Sequence, residues 1–308
     1  MMRVLVIGSF DPCCVHLRQR KWLKPLGIDV RIAVRERYWE EHAAVDWELP
    51  RDRDIVNDYA RTADLWVFLP AIEQPWSSET GGPIVENFGE LDWTPERSAL
   101  FLLHGSRNAV QHADYYAQIY GQRGMVAATT LDYVARLNCE YIPSIVDTVE
   151  RATPRRDGEP LRIVHAPSDP SMCSTSEFRH VAQGKGQLTY LNGLPHASAM
   201  RFKARAHVGY DHLRGSFSLN SLENATVGLV NLVGMSDAVM GESERRGILP
   251  HWPRIRTMDD IRAWLERLQD PRETAWWQDR GRAWAERWWK PEDVARRVAN
   301  VYRKAARQ

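Results

Sequence analysis

Hydrophobic positions at the start of the chain fall in short unbroken runs. Arg3 to Ser9 (RVLVIGS) and Asp29 to Val34 (DVRIAV) are two such runs, and Val15 to Leu26 between them has helical spacing. Strands apolar on both faces, separated by a helix, predict a parallel sheet covered on both sides. The alternation continues with strand candidates at Asp64 to Leu69, Ala99 to His104, Met125 to Thr129 and Glu140 to Pro143. Ala109 to Tyr120 and Leu131 to Leu137 are the helices predicted among them. Residues 1–150 therefore read as one Rossmann-like domain.

From Thr148 to Pro160 the apolar periodicity stops and Pro, Arg, Asp and Gly gather, which marks a linker, taken as residues 151–160. A second alternating series follows. Leu161 to His165, Gln187 to Leu191, His207 to Asp211 and Leu229 to Val233 are its strand candidates, with helices at His196 to Ala206 and Leu219 to Val227. After Met258 the pattern is almost wholly helical, clearest over Asp259 to Leu268 and Pro291 to Ala306. The fold class is α/β, with a second Rossmann-like domain over 161–285 and a last helix in 286–308. Residues 70–98 fit no regular element; four Pro, three Gly and two Trp mark a long loop, read as an acceptor-side lid or a packed insertion.

Composition narrows the function classes. Lys plus Arg number 41 against 40 Asp plus Glu, a net charge of +1, which excludes a globally basic nucleic-acid binder and leaves a local basic face open. No apolar run reaches the roughly 18 to 20 residues that span a bilayer, and the opening MMRVLVIGSF lacks a signal-peptide layout. Cys13, Cys14, Cys139 and Cys173 have no metal-site spacing and read as reduced thiols. A cytoplasmic protein is expected.

In open parallel sheets ligands bind where strands end and helices begin. After the first strand comes Gly8-Ser9-Phe10-Asp11-Pro12, with one glycine where a dinucleotide fingerprint needs three, which disfavours a nicotinamide-dependent oxidoreductase. His104-Gly105-Ser106-Arg107 follows a later strand, and His165-Ala166-Pro167-Ser168 follows the first strand of the second half. The most specific stretch is Tyr210 to Gly228 (YDHLRGSFSLNSLENATVG). Here a strand ends in Asp211, a polar loop follows, and a helix begins near Ser218 with Glu223 inside it. Free amides at such a helix start suit a diphosphate, and a carboxylate one turn in suits a ribose diol.

Taken in order, the glycine turn at Gly8, HGSR at 104–107, YIPSIVD at 141–147, RIVHAPS at 162–168, the 204–228 stretch and the ending WWKPEDVARRVANVY resemble a GT-B glycosyltransferase of the retaining family-4 type. The resemblance covers most of the chain. It implies two Rossmann-like domains facing a cleft, with the last helix crossing back to the N-terminal domain. It also implies sugar transfer from a nucleotide-sugar, such as a UDP- or GDP-sugar, to an acceptor hydroxyl with retention, without metal or cofactor. By the same resemblance His104 and Ser9 are catalytic, and Glu223, Ser216, Phe217, Ser218, Leu219, His165, Ser168, Lys185 and Gly8 bind the donor. Arg107 and His16 stand on the acceptor side. Two departures go with it: the first of the family's two glutamates falls on Gly215, and Cys173 stands about where a phosphate-clamping Lys is usual, with Ser174 and Thr175 at a helix start, or Lys185, as its substitutes. They keep open a catalytically degenerate nucleotide-binding module.

The acceptor has one clue. Residues 253–308 hold 14 Lys plus Arg against 9 Asp plus Glu, together with six of the 13 Trp. Basic residues interleaved with aromatics suit DNA, as in phage-type enzymes acting on 5-hydroxymethylpyrimidine, or another anionic surface. The same residues also suit ordinary packing of the last helices.

Overall fold

The computed structural model describes residues 1–8, 15–35, 44–49, 51–69, 91, 98–103, 121, 124–147, 150–167, 170–213, 215–216 and 218–308. The chain divides into two compact units, Met1–Ile145 with Pro291–Gln308, and Val146–Lys290.

The first unit is built on seven strands: β1 Met2–Gly8, β2 Ile28–Val34, β3 Trp47–Glu48, β4 Leu65–Leu69, β5 Ala99–Leu103, β6 Met125–Ala128 and β7 Glu140–Tyr141. They lie in the order β3-β2-β1-β4-β5-β6-β7, and every neighbouring pair is parallel. Residues Val4 to Ile7 of β1 and all of β4 and β5 are buried, as the unbroken apolar runs require. Helices α1 Val15–Leu23, α2 Arg53–Ala60 and α3 Leu131–Leu137 belong to this unit. The helix expected over Val15 to Leu26 stops early because Pro25 has no N–H to offer an α-helical bond. Lys24–Leu26 instead forms a 3-10 turn, closed by Gly27 at φ 76°.

The C-terminal helix, Pro291–Ala305, is part of the first unit. Its buried residues Val294, Ala295, Val298, Ala299, Tyr302 and Ala305 recur at helical spacing and form a single stripe packed on α1. The Tyr302 hydroxyl donates to Gln19 Oε1 at 2.5 Å. Arg303 donates to the Leu26 carbonyl at 2.8 Å, and Lys304 pairs with Glu140.

The second unit holds a four-stranded parallel sheet, β8 Arg162–His165, β9 Gln187–Tyr190, β10 Val208–Tyr210 and β11 Val230–Leu232, in the order β11-β10-β8-β9. Its helices are α4 Thr175–Ala182, α5 His196–Lys203, α6 Leu219–Val227, α7 Asp237–Arg245, α8 Met258–Arg267 and α9 Pro271–Trp288, which makes the C-terminal helix α10. Successive side chains of β8 point to opposite faces, Ile163 into a core with Phe178, Val208 and Leu265, Val164 into a core with Met200, Ala204 and Val227. Residues 150–160 are irregular backbone bonded to this unit, Ala152 N–H to the Val227 carbonyl at 2.8 Å and the Arg155 guanidinium to the Leu268 carbonyl at 2.7 Å.

The elements β3, α2 and α7 were not anticipated from the sequence, whereas α4 begins at the helix start expected at Ser174 and Thr175. The helix predicted over Ala109 to Tyr120 and most of the 70–98 segment lie outside the described residues.

Candidate functional site

Because the four strands of the second sheet run in one direction, His165, Tyr190, Tyr210 and Leu232 end at a common edge. The helices that follow β8, β9, β10 and β11 begin at that edge and direct their free amides there. Helix α6 is set by its ends. Ser218, in extended conformation, caps it by accepting from Asn220 N–H at 3.0 Å, and Gly228 closes it at φ 92°.

Asp211 organises the loop between β10 and α6. It is 3 % exposed. Its Oδ2 accepts from the Ser218 hydroxyl at 2.6 Å and from the Ser221 hydroxyl, and its Oδ1 accepts from Asn220 Nδ2 at 3.2 Å. Burial works to raise the Asp211 pKa. His212, with Nε2 at 3.7 Å, and the three hydrogen bonds outweigh burial and hold the carboxyl below the usual range. Gly215, at φ 91°, turns the loop so that its N–H meets the Gly234 carbonyl at 3.2 Å and its carbonyl accepts from Ser236 N–H at 2.7 Å. Ser216 Oγ is buried there with no hydrogen-bond partner among the described residues.

From Asp211 a continuous polar network runs into α5 and α6. Asn220 donates its side-chain amide N–H to Asp211, and its Oδ1 accepts from Lys203 Nζ at 2.5 Å. Lys203 Nζ also pairs with Glu223 Oε2 at 2.7 Å, and Glu223 Oε1 pairs with His196 Nε2 at 2.8 Å. Lys203 and Glu223 side chains are 2 % and 8 % exposed, whereas that of His196 is 34 % exposed. The network is thus closed at the lysine and open to solvent at the histidine. Asn224 anchors α6 to the sheet on the other side, donating to Asn231 Oδ1 at 3.2 Å over Gly209, where a Cβ would come within 2.5 Å of the Asn224 amide.

The residues expected to bind the donor divide into three groups. Ser216, Ser218, Leu219 and Glu223 come together at the edge just described. His165 and Lys185 lie apart from them. His165 is fully buried, its Nδ1 donates to the Tyr210 carbonyl at 3.2 Å, and its Nε2 accepts from the Thr175 hydroxyl at 2.9 Å. Phe178, Tyr190 and Tyr210 surround the ring, and burial pushes its pKa down to about 4, so it is a neutral core histidine. Lys185 precedes β9, at the opposite edge of the sheet, where its Nζ pairs with Glu266 at 2.9 Å. Ser168 and Phe217 lie outside the described residues.

In the first unit Gly8 ends β1, at the edge where a ligand would meet that sheet. His16 on α1 is 1 % exposed, gives Nδ1 to Gln19 Oε1 at 3.0 Å, and has its pKa lowered to about 4 by burial. Gln19 Oε1, which it meets, also accepts from the Tyr302 hydroxyl of α10. Ser9, His104 and Arg107 lie outside the described residues. Among the described residues no cluster of three or more His, Cys, Asp or Glu could hold a metal ion, and no helix is long and apolar enough to cross a membrane.

Sequence reading missed Lys203, His196, Asn220 and the organising role of Asp211. One signal was present for Lys203: it lies three residues after Met200, on the stripe of α5 that is buried. Ser174, expected with Thr175 at a helix start, stands just before α4. It opens α4 in the left-handed region, φ 49° and ψ 40°, a conformation that costs a non-glycine residue about 1 kcal/mol and recurs in ligand-binding loops.

No protein-family model matches the chain, and no curated protein matches it by sequence. Its structure is similar to solved glycosyltransferases. HepE of Anabaena in complex with UDP-glucose superposes with a TM-score of 0.69 at 11 % identity, over 99 % of this chain and 100 % of that one. WaaG, a glycosyltransferase involved in lipopolysaccharide biosynthesis, gives 0.59 at 10 % identity over 98 % and 99 %. A mutant O-GlcNAc transferase of Thermobaculum terrenum gives 0.54 at 14 % identity over 99 % of this chain and 68 % of that one. At such identities the likeness speaks for architecture alone, and together with the two parallel sheets it establishes that this chain has the α/β fold of the GT-B glycosyltransferases.

Proposed function

We propose that the protein is a glycosyltransferase that moves a sugar, a hexose by the family resemblance, from a nucleotide-sugar to an acceptor hydroxyl with retention at the anomeric carbon. The observation that carries this reading is the polar network at the carboxyl edge of the second sheet, in a fold whose neighbour HepE was solved with UDP-glucose and with UDP. In the proposed complex the diphosphate sits against the Ser216 to Leu219 backbone at the start of α6. The free amides and the helix dipole, about half a positive charge, there offset the charge of the leaving group. The orphan Ser216 hydroxyl supports this placement, since a phosphate oxygen would complete it. No metal or cofactor is needed for that step.

Glu223 takes the ribose. Lys203 fixes Oε2, so the carboxylate enters with one oxygen committed, and Oε1 exchanges the partly exposed His196 for the ribose hydroxyls. Asp211 holds the loop in place through Ser218, Asn220 and Ser221 without touching the donor. The resemblance leaves His104, Ser9 and Gly8 for the sugar, and Arg107 for the acceptor side. Catalysis on this plan is positioning plus stabilisation of an oxocarbenium-like transition state leaving a diphosphate.

Thermal shift of the full chain with a panel of UDP- and GDP-sugars and NAD tests the reading. A donor at about a hundred times its Kd adds about 2.7 kcal/mol of stability. Stabilisation by a nucleotide-sugar, with release of the nucleoside diphosphate on adding a hydroxyl acceptor, is the expected result. Stabilisation by NAD alone, or by none of the panel, overturns it. Gly215 in place of the family's first glutamate and the ion-paired state of Glu223 favour a second reading, a nucleotide-binding module without turnover, for which binding occurs and nucleotide release does not.

A further inference from the structure

Helix α9 buries Thr274, Gln278, Gly281, Trp284 and Ala285. On its other face Arg272, Trp276, Arg280 and Arg287 follow at intervals of four, four and seven, which at about 100° per residue puts all four within roughly 80° of arc. Trp276 is 50 % exposed, the one exposed tryptophan among the described residues. The Arg280 guanidinium lies 4.5 Å from its ring centroid, and Arg287 lies 4.9 Å from that of Trp288.

The charges of this helix are sorted. Glu273, Asp279 and Glu286 are each paired with an arginine outside the stripe: Arg267, Arg151 at 3.1 Å and Arg282 at 2.7 Å. Arg272, Arg280, Arg287 and the following Lys290 have no carboxylate partner among the described residues; Arg280 instead meets His251 Nδ1 at 2.7 Å. Neutralised acids beside unneutralised bases leave a ridge of three arginines around one exposed indole, with Lys290 just beyond the end of the helix. Packing alone does not call for this, because the residues that pack α9 are on its opposite face.

We propose that this face of α9 docks on an anionic lipid surface. The chemistry is that of an interfacial helix: cations meet lipid phosphates, and a tryptophan settles at headgroup depth. The shape fits a plane. The stripe is the convex face of one helix about 27 Å long, whereas a nucleic-acid strand is held in a charged groove with free aromatic faces. Trp276 has one ring face under Arg280 and an edge contact with Trp277, centroids 4.7 Å apart and planes at 88°, which leaves less of it for stacking a base. The inference does not depend on the proposed transferase activity.

Flotation of the full chain with phosphatidylcholine vesicles, with and without phosphatidylglycerol, tests it at low and high salt. Binding is expected only with phosphatidylglycerol and is weakened by salt. Each cation contributes about a fivefold factor in partitioning, so Arg272→Gln/Arg287→Gln loses about twenty-five-fold and adding Arg280→Gln brings the loss to the order of a hundredfold. The double variant leaves the Arg280–Trp276 stack intact, and its unchanged melting temperature guards against misfolding. Arg61→Gln/Arg296→Gln, which removes two paired exposed arginines, should bind as the parent does. Absence of binding to anionic vesicles at low salt, equal binding by the double variant, or retention of single-stranded DNA without vesicle binding would each overturn the proposal.

Discussion

Replacing Lys203 with Met removes one cation from a site that cannot readily be rewetted. Lys203 and Glu223 are 2.7 Å apart, with side chains 2 % and 8 % exposed, so solvent screening reduces the effect little. Taking away the lysine leaves Glu223 with His196 but without its buried cation, at a cost of up to about 3 to 5 kcal/mol. For a unit of 145 residues, Val146–Lys290, that lowers the melting temperature by roughly 10 to 15 °C. The double variant Lys203→Met/Glu223→Gln removes both charges at similar volume and should recover much of the loss. Chemical denaturation of parent, both single variants and the double closes the cycle, and a coupling of about 2 kcal/mol or more is expected. A Lys203→Met variant within about 1 kcal/mol of the parent would refute the reasoning, because Glu223 would then have no need of its partner.

Three further outcomes follow from other parts of the structure. His16, His165 and His207 are buried, and burial holds each pKa near 4, below the unfolded value near 6.5. The unfolded chain therefore takes up protons first, so this stability is complete above pH 6.5 and is lost as pH falls towards 4, with a slope up to about 1.4 kcal/mol per pH unit for each histidine. Denaturation against pH checks this, and His165→Gln should flatten the slope by one proton. Asp211→Ala strands three donors, Ser218, Ser221 and Asn220, and should cost about 3 kcal/mol while weakening nucleotide binding, read by calorimetry. Gly209→Ala drives a Cβ to 2.5 Å from the Asn224 amide and should cost about 1 to 3 kcal/mol by thermal melting.

The parallel sheets were legible because fully buried strands leave unbroken apolar runs, as in β1, β4 and β5. Helix α6 was legible because Ser218 and Gly228 mark both its ends. What the sequence did not show was three-dimensional. A histidine at a strand end has the position of a ligand group whether it is open, as a site requires, or buried among three aromatic rings, as His165 is. Lys185 is near a strand, but at its beginning, and only the sheet's direction shows that this is the other edge. Lys203 and Glu223 are twenty residues apart on different helices, so their pairing leaves no local pattern. Helix α2 lies within a charged stretch, RDRDIVNDYA, whose one strong apolar anchor, the fully buried Val56, gives little periodicity.

Hydrogen exchange of the full chain with and without a saturating nucleotide-sugar tests the central claim most directly. Slowed exchange in the 211–218 loop and the first turns of α6, diminished in the Glu223→Gln variant, is the expected result. Unchanged exchange there, or protection confined to the first unit, would contradict the assignment of the donor site to the carboxyl edge of the second sheet.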